Sequence, residues 1–148
     1  MFKLNFFVNL LLIFLLLNCG CRSVYKVSYP LEKGTVKKEQ FGYAEENENT
    51  LEITSSSNVV KSFASGKIFS VISVGDDFGV VIESNGCYYS FSNLATISVT
   101  KNSFLNVGDM IGTVKKNGRE FVLWVKKGCG NKSFTNKEIY AELSQIKQ

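Results

Sequence analysis

The feature that most limits how this chain can fold is the stretch from Ser73 to Asn93, SVGDDFGVVIESNGCYYSFSN, which reads as two strands joined by one tight turn. Val80, Val81 and Ile82 are β-branched and Tyr88, Tyr89 and Phe91 are aromatic. Asn85-Gly86 between them supplies the two residues that tolerate the left-handed backbone of a type I′ turn. Short apolar runs recur around this hairpin at fairly even spacing, with Gly, Asn, Asp and Ser between them, so the core is expected to be mainly antiparallel β-sheet. Strands are expected from Val59 to Phe63, from Lys67 to Val74, from Met110 to Val114 and from Glu120 to Val125, with Asn117-Gly118 as a second hairpin signal. The period then changes. Thr135 with Glu138 three residues later is a capping-box pattern, and Ile139, Leu143 and Ile146 share one helical face, which predicts a short C-terminal helix docked on the sheet.

The first residues, MFKLNFFVNLLLIFLLLNCGC, carry Lys3 as their only charge and an apolar run from Phe6 to Leu17. That run is too short to span a bilayer comfortably, which favours a cleaved export signal over a permanent transmembrane helix. A cysteine directly after such a run suggests a lipoprotein signal, in which acyl chains on the new N-terminal Cys hold the protein on a membrane surface. Cys21 follows the small Gly20 but has Asn18 where an aliphatic residue is usual. Cys19 has Leu16 in that place but Asn18 directly before it. Lipidation is therefore assigned to Cys19 or Cys21, with a slight lean to Cys19; a plain signal peptide with incidental cysteines is the simpler alternative. The expected organisation is a signal over residues 1–21, a short tether over 22–28 and one domain over 29–148. The expected location is the cell envelope, membrane-anchored on the periplasmic side.

With 148 residues there is room for one sizeable core. A net charge of +4, with no basic run longer than a Lys pair, does not indicate nucleic-acid binding. Export would permit a disulfide between Cys87 and Cys129, although two separate thiols fit the sequence equally well, because their Cα separation is not encoded in spacing. Two cysteines are too few for an all-thiolate zinc site.

Several punctuated stretches, in order, resemble the LytM or lysostaphin-type domain, the duplicated hybrid motif of zinc metallopeptidases that cut peptidoglycan cross-links. The nearest flavour is the murein hydrolase activator, EnvC-like, branch. The resemblance is carried by Tyr29-Pro30-Leu31-Glu32-Lys33-Gly34 with Phe41-Gly42, by Val60-Lys61-Ser62 with Gly66, and by Gly79-Val80-Val81-Ile82 with Gly86-Cys87-Tyr88-Tyr89. It continues through Phe91-Ser92-Asn93-Leu94, Gly108-Asp109-Met110-Ile111-Gly112 and the run from Phe121 to Val125. It covers roughly Tyr29 to Gly128 and implies an antiparallel β domain with a substrate groove across its sheet.

The resemblance also places the former site. Active members hold zinc with a His and an Asp four residues apart and the second His of an H-x-H pair, and further histidines support the attacking water. Those positions fall here on Glu48, Glu52 and Val122 for the metal, and on Asn93 and Glu120 for the supporting groups. The chain contains no histidine at all. Imidazole is both a neutral zinc ligand and a group that titrates near neutrality, so its loss removes metal and proton transfer together. A valine has no lone pair, and two glutamates alone suit a harder ion held weakly.

Other chemistries are weaker. Glu48, Glu52 and Glu120 as a carboxylate set for glycan hydrolysis compete with the ordinary reading of solvated loop residues, and Cys87 as a nucleophile lacks a histidine base. Trp124, Tyr88, Tyr89 and Phe91, with Asn93, are candidates for a sugar-stacking groove, against the alternative of core packing. The expectation is a non-catalytic, cofactor-free, lipid-anchored module whose partner is peptidoglycan or a peptidoglycan hydrolase such as an amidase. A hydrolase with an unorthodox site and a structural lipoprotein are the alternatives. Activators of the branch usually carry a long coiled coil before the domain, and here only the tether does.

Overall fold

The computed structural model describes residues 24–27, 29–37, 41 and 48–146. The expected export signal with Cys19 and Cys21, and Gly42 of the resemblance, lie outside the described residues. Within them the chain forms β1 (Val24–Val27), β2 (Gly34–Lys37), β3 (Leu51–Ser55), β4 (Val59–Lys61), β5 (Gly66–Val74), β6 (Asp77–Ser84) and β7 (Cys87–Ile97). Then follow β8 (Phe104–Leu105), β9 (Met110–Val114), β10 (Lys116–Asn117), β11 (Glu120–Cys129), β12 (Lys132–Ser133) and the helix α1 (Asn136–Leu143).

All strand pairs are antiparallel. The main sheet runs β1-β2-β3-β11-β7-β6-β5-β8, with β10 and β12 folded back on β11, and with β9 bridging β4 and β7. Its centre is the hairpin that the sequence predicts. Asn85 and Gly86 both sit at positive φ, 51° and 75°, as a type I′ turn requires. The second hairpin is displaced by one residue from its sequence signal: Asn117 pairs with Glu120, so the turn is Gly118-Arg119. Only Gly118 is left-handed, which is the type II′ pattern with glycine first.

Two boundaries also differ from expectation. Val24–Val27, assigned to the tether, is β1 and pairs residue for residue with β2; Val, Tyr and Val are strand-favouring residue types, and a sheet edge was there to receive them. β4 stops at Lys61 rather than Phe63. There the register shifts, and the main chain of Ser62 turns to Asp109 and Gly108 instead.

Strand alternation sorts the side chains. Ile68, Val80, Ile82, Phe91, Leu123, Val125, Leu51 and Ile53 face one way and form the core. Phe63 packs edge-on against Tyr89 and Phe91, with centroids 5.0 and 5.7 Å apart. Fully burying a side chain such as Phe91 or Leu123 contributes about 1.5–3 kcal/mol. Helix α1 closes one end of this core with Ile139 and Leu143. It starts on a complete capping box, the Thr135 hydroxyl accepting from the Glu138 N–H while the Glu138 carboxylate accepts from the Thr135 N–H at 2.9 Å. The opposite face of the central strands is left to the residues that alternate with the core, and it holds the candidate site.

Candidate functional site

On that outer face Trp124 of β11 stands in register with Glu52 of β3 on one side and Ser92 of β7 on the other. Its indole Nε1 donates to Glu52 Oε2 at 3.1 Å, and the ring remains 41% exposed. One step along β11 on the same face, Val122 lies opposite Thr54, whose hydroxyl is 3.0 Å from that of Thr35 on the next strand. Val122 is only 4% exposed.

Asn93 explains how this corner is tied. The pairing of β6 with β7 skips between Phe78 and Val80, leaving Ser92 and Asn93 together opposite Gly79 as a bulge. Asn93 takes up the local turn with φ 67°, a conformation that Asn tolerates better than most residues. Its carbonyl accepts from the Lys115 N–H at 3.1 Å, the Lys115 carbonyl accepts from the Val122 N–H at 3.2 Å, and the Asn93 amide Nδ2 donates to the Val122 carbonyl at 2.7 Å. The result is a closed circuit of three hydrogen bonds among Asn93 in β7, Lys115 between β9 and β10, and Val122 in β11. Lys115 also reaches back to Asp77 at 2.6 Å.

The positions assigned to a former metal site are thus scattered in role. Glu48 is an exposed turn residue whose main-chain carbonyl receives the Asn136 N–H, at 2.5 Å, where α1 begins. Glu120 is exposed at the head of β11, paired with Asn117. Glu52 is engaged by Trp124, and Val122 offers no donor atom. Zinc needs three nitrogen, sulfur or carboxylate ligands converging on one point. Among the described residues no three Cys, Asp or Glu side chains are grouped to hold a metal ion. Among the described residues the groups at these positions do not fit a zinc ion.

Two of the aromatic groove candidates are corrected. Phe91 is wholly buried and Tyr89 is 7% exposed, both on the core face, because the alternation of β7 sends Tyr88, Ser90 and Ser92 outward instead. Tyr89 instead fastens the helix to the sheet, since its hydroxyl donates to Glu142 Oε1 at 2.8 Å, and Glu142 Oε2 is bound by Lys127 Nζ. Burial, then the bond to Glu142, raises the Tyr89 pKa above its ordinary 10.0. Burial alone would lower that of Lys127, but the bonds to Glu142 and Tyr89 outweigh it and leave it raised above 10.5. Tyr89 and Glu142 line a cleft of about 580 Å³ between the β6–β7 turn and α1, bordered by Ser65, Glu83, Asn85 and Phe104.

The outer face that remains carries Trp124, Tyr88 and Phe69, with Ser90, Ser92 and Lys126 between them. Phe69 is the bulged residue of β5 and its ring meets that of Tyr88 at 5.0 Å. Nothing in the sequence signals Phe69, since a bulge changes the facing of one residue without changing composition. On the core side of the same two strands, at their far end, Cys87 and Cys129 are directly opposed on β7 and β11, Cα atoms 4.2 Å apart, and are joined as a disulfide.

No family model matches the sequence, and neither does any curated protein. Solved structures do share the fold. The chain is similar to lysostaphin, solved in solution by NMR, at 14% identity over 68% of this chain and 45% of that one, with a TM-score of 0.50. It is also similar to the crystal structure of CbpA from L. salivarius REN, at 18% identity over 82% of this chain and 79% of that one, with a TM-score of 0.52. The aligned part therefore spans less than half the length of the lysostaphin chain. At these identities the likeness establishes the fold: a lysostaphin-type antiparallel β domain with a short C-terminal helix.

Proposed function

We propose that this domain is a non-catalytic LytM-like module of the cell envelope that binds peptidoglycan or regulates a peptidoglycan hydrolase such as an amidase. The observation that carries the reading is the exchange at Asn93 and Val122. Where the family's chemistry needs imidazoles, this chain has an amide spent on a main-chain carbonyl and a buried valine. The neighbouring surface keeps recognition chemistry: an exposed indole held by a carboxylate, the Phe69–Tyr88 aromatic pair, and serine hydroxyls between them. Aromatic faces with adjacent hydroxyls suit stacking on sugar rings or gripping an extended peptide. The apolar N-terminal run and the cysteines after it support export and lipid anchoring at Cys19 or Cys21.

The test uses the full chain in detergent with purified peptidoglycan, with and without added zinc. Co-sedimentation without release of soluble fragments is expected, and release on adding an amidase, beyond that of the amidase alone, marks a regulator. Fragment release by the chain alone overturns the proposal. Failure both to sediment with peptidoglycan and to alter the amidase leaves a structural lipoprotein in its place.

A further inference from the structure

β5 lies near the edge of the sheet. One side of it pairs with β6 along its length, but the other is covered only at its start. There β8 pairs with Gly66 and Lys67, and the main chain of Ile68 is held by Ser103 and Asn102. Among the described residues no strand pairs with Ser70 to Val74 on that side. Val74 and Asp77 flank the two-residue Gly75-Asp76 turn, so they form a hydrogen-bonded pair, and the ladder alternates from there. Ser70 and Ile72 therefore bond to β6, while Val71 and Ser73 turn their N–H and C=O groups outward. The far end agrees, since Ile68 faces outward and the bulge at Phe69 moves the parity on by one residue.

Exposed strand edges are normally protected by charge or proline. From Ile68 to Gly75, IFSVISVG, there is neither, and Ile72 and Val74 are 46% and 70% exposed. We propose that this edge pairs antiparallel with the same edge of a second copy of the chain, about a two-fold axis through Ile72. In that register Val71 of each copy opposes Ser73 of the other, and each pair exchanges both N–H···O bonds. Ile72 meets its own mate in the closer, non-hydrogen-bonded type of pair, and Val74 lies beside Ser70.

The register also matches charge. Asp76 at the hairpin tip of one copy falls opposite Ile68 of the other, between Lys67 and the Lys101-Asn102 turn that is bonded to Ile68. The two-fold axis repeats this acid-on-base contact at the other end. A five-residue pairing is smaller than the roughly 1,200–2,000 Å² of a stable interface, so the association is reversible and is best captured covalently. The pairing is independent of the proposed function.

Full-length chain in detergent, as parent and as single variants Ser70→Cys, Ile72→Cys and Val74→Cys, is oxidised mildly and the disulfide-linked dimer is measured above the parent's own cysteine background. Opposed Cα atoms about 4.5 Å apart are within disulfide reach. Ile72→Cys is expected to raise the dimer several-fold. Ser70→Cys and Val74→Cys alone leave it at background, and the two mixed together raise it. Adding Ile72→Lys to the mixture sets like charges opposite each other and returns it to background. No gain for Ile72→Cys and none for the mixture overturns the proposal, as does a stronger gain for Val74→Cys alone or capture of a different protein by Ile72→Cys.

Discussion

The side-chain amide of Asn93 donates to the main-chain carbonyl of Val122 at 2.7 Å, from a backbone held at φ 67°. Two functions meet in one residue: a left-handed bulge that few side chains accept, and a bond that fastens β7 to β11. Asn93→Ala loses the bond and strains the backbone, for a combined loss of about 2 kcal/mol. Asn93→Gly loses the bond but is at ease at this φ, so the loss is nearer 1 kcal/mol. Urea denaturation of both variants checks the order, and equal losses would show that the backbone conformation is not a factor.

The cross-strand link between Cys87 and Cys129 closes a loop across 42 positions of sequence, which contains β8, β9 and β10. In the chain-entropy account such a loop stabilises by about 4 kcal/mol. Replacing both cysteines by serine is expected to lower the denaturation midpoint accordingly while leaving the strand content measured by circular dichroism unchanged. The parent treated with reductant should follow the double variant.

The antiparallel core, the Asn85-Gly86 turn and the capped helix were legible because each rests on local rules: alternation, a dipeptide that tolerates positive φ, and a box of two residues three apart. What escaped is non-local. Asn117-Gly118 is a sound turn dipeptide, yet pairing across β10 and β11 chose Gly118-Arg119. Tyr88 and Tyr89 are chemically alike, and only the strand parity fixed by Cys87 opposite Ser84 decides which one is buried. The absence of histidine was readable at once. That Val122 would be closed over, and that Glu52 would be taken by Trp124, required the register of β3 on β11.

Glu142 joins the Tyr89 hydroxyl and the Lys127 ammonium beside the core. Both of those groups have raised folded-state pKa values. Their contribution is therefore fully present below the unfolded values near 10 and is lost as pH rises through the folded ones. Stability is expected to fall above about pH 10 more steeply than in Glu142→Gln. The same variant should bring the Tyr89 titration, followed by ultraviolet absorbance, back toward the ordinary value. An unchanged tyrosine titration would remove Glu142 from the explanation.

At the start of α1 the sign is opposite. The Thr135 N–H, with Lys132, holds the Glu138 carboxyl down from 4.5 to about 2. Its contribution is present above the unfolded value and disappears as pH falls toward 2. Glu138→Gln should flatten the acid limb of the stability profile between those values. Thr135→Ala, which removes the other half of the box, is expected to cost about 1 kcal/mol at neutral pH.

Trp124 is where fold and proposed recognition can be separated, because its ring is exposed and the core beneath it belongs to Leu123 and Val125. Truncating an exposed aromatic leaves the core intact, while loss of a stacking contact of about 1 kcal/mol weakens binding roughly fivefold. Trp124→Ala is therefore expected to reduce co-sedimentation with peptidoglycan by that factor at nearly unchanged stability. Trp124→Phe, which keeps a ring but loses the Nε1 bond to Glu52, should fall between. Val107→Ala, an exposed apolar residue outside the central strands, is the control and should bind as the parent does. If Val107→Ala weakens binding as much as Trp124→Ala, the outer face of β11 is not the recognition surface.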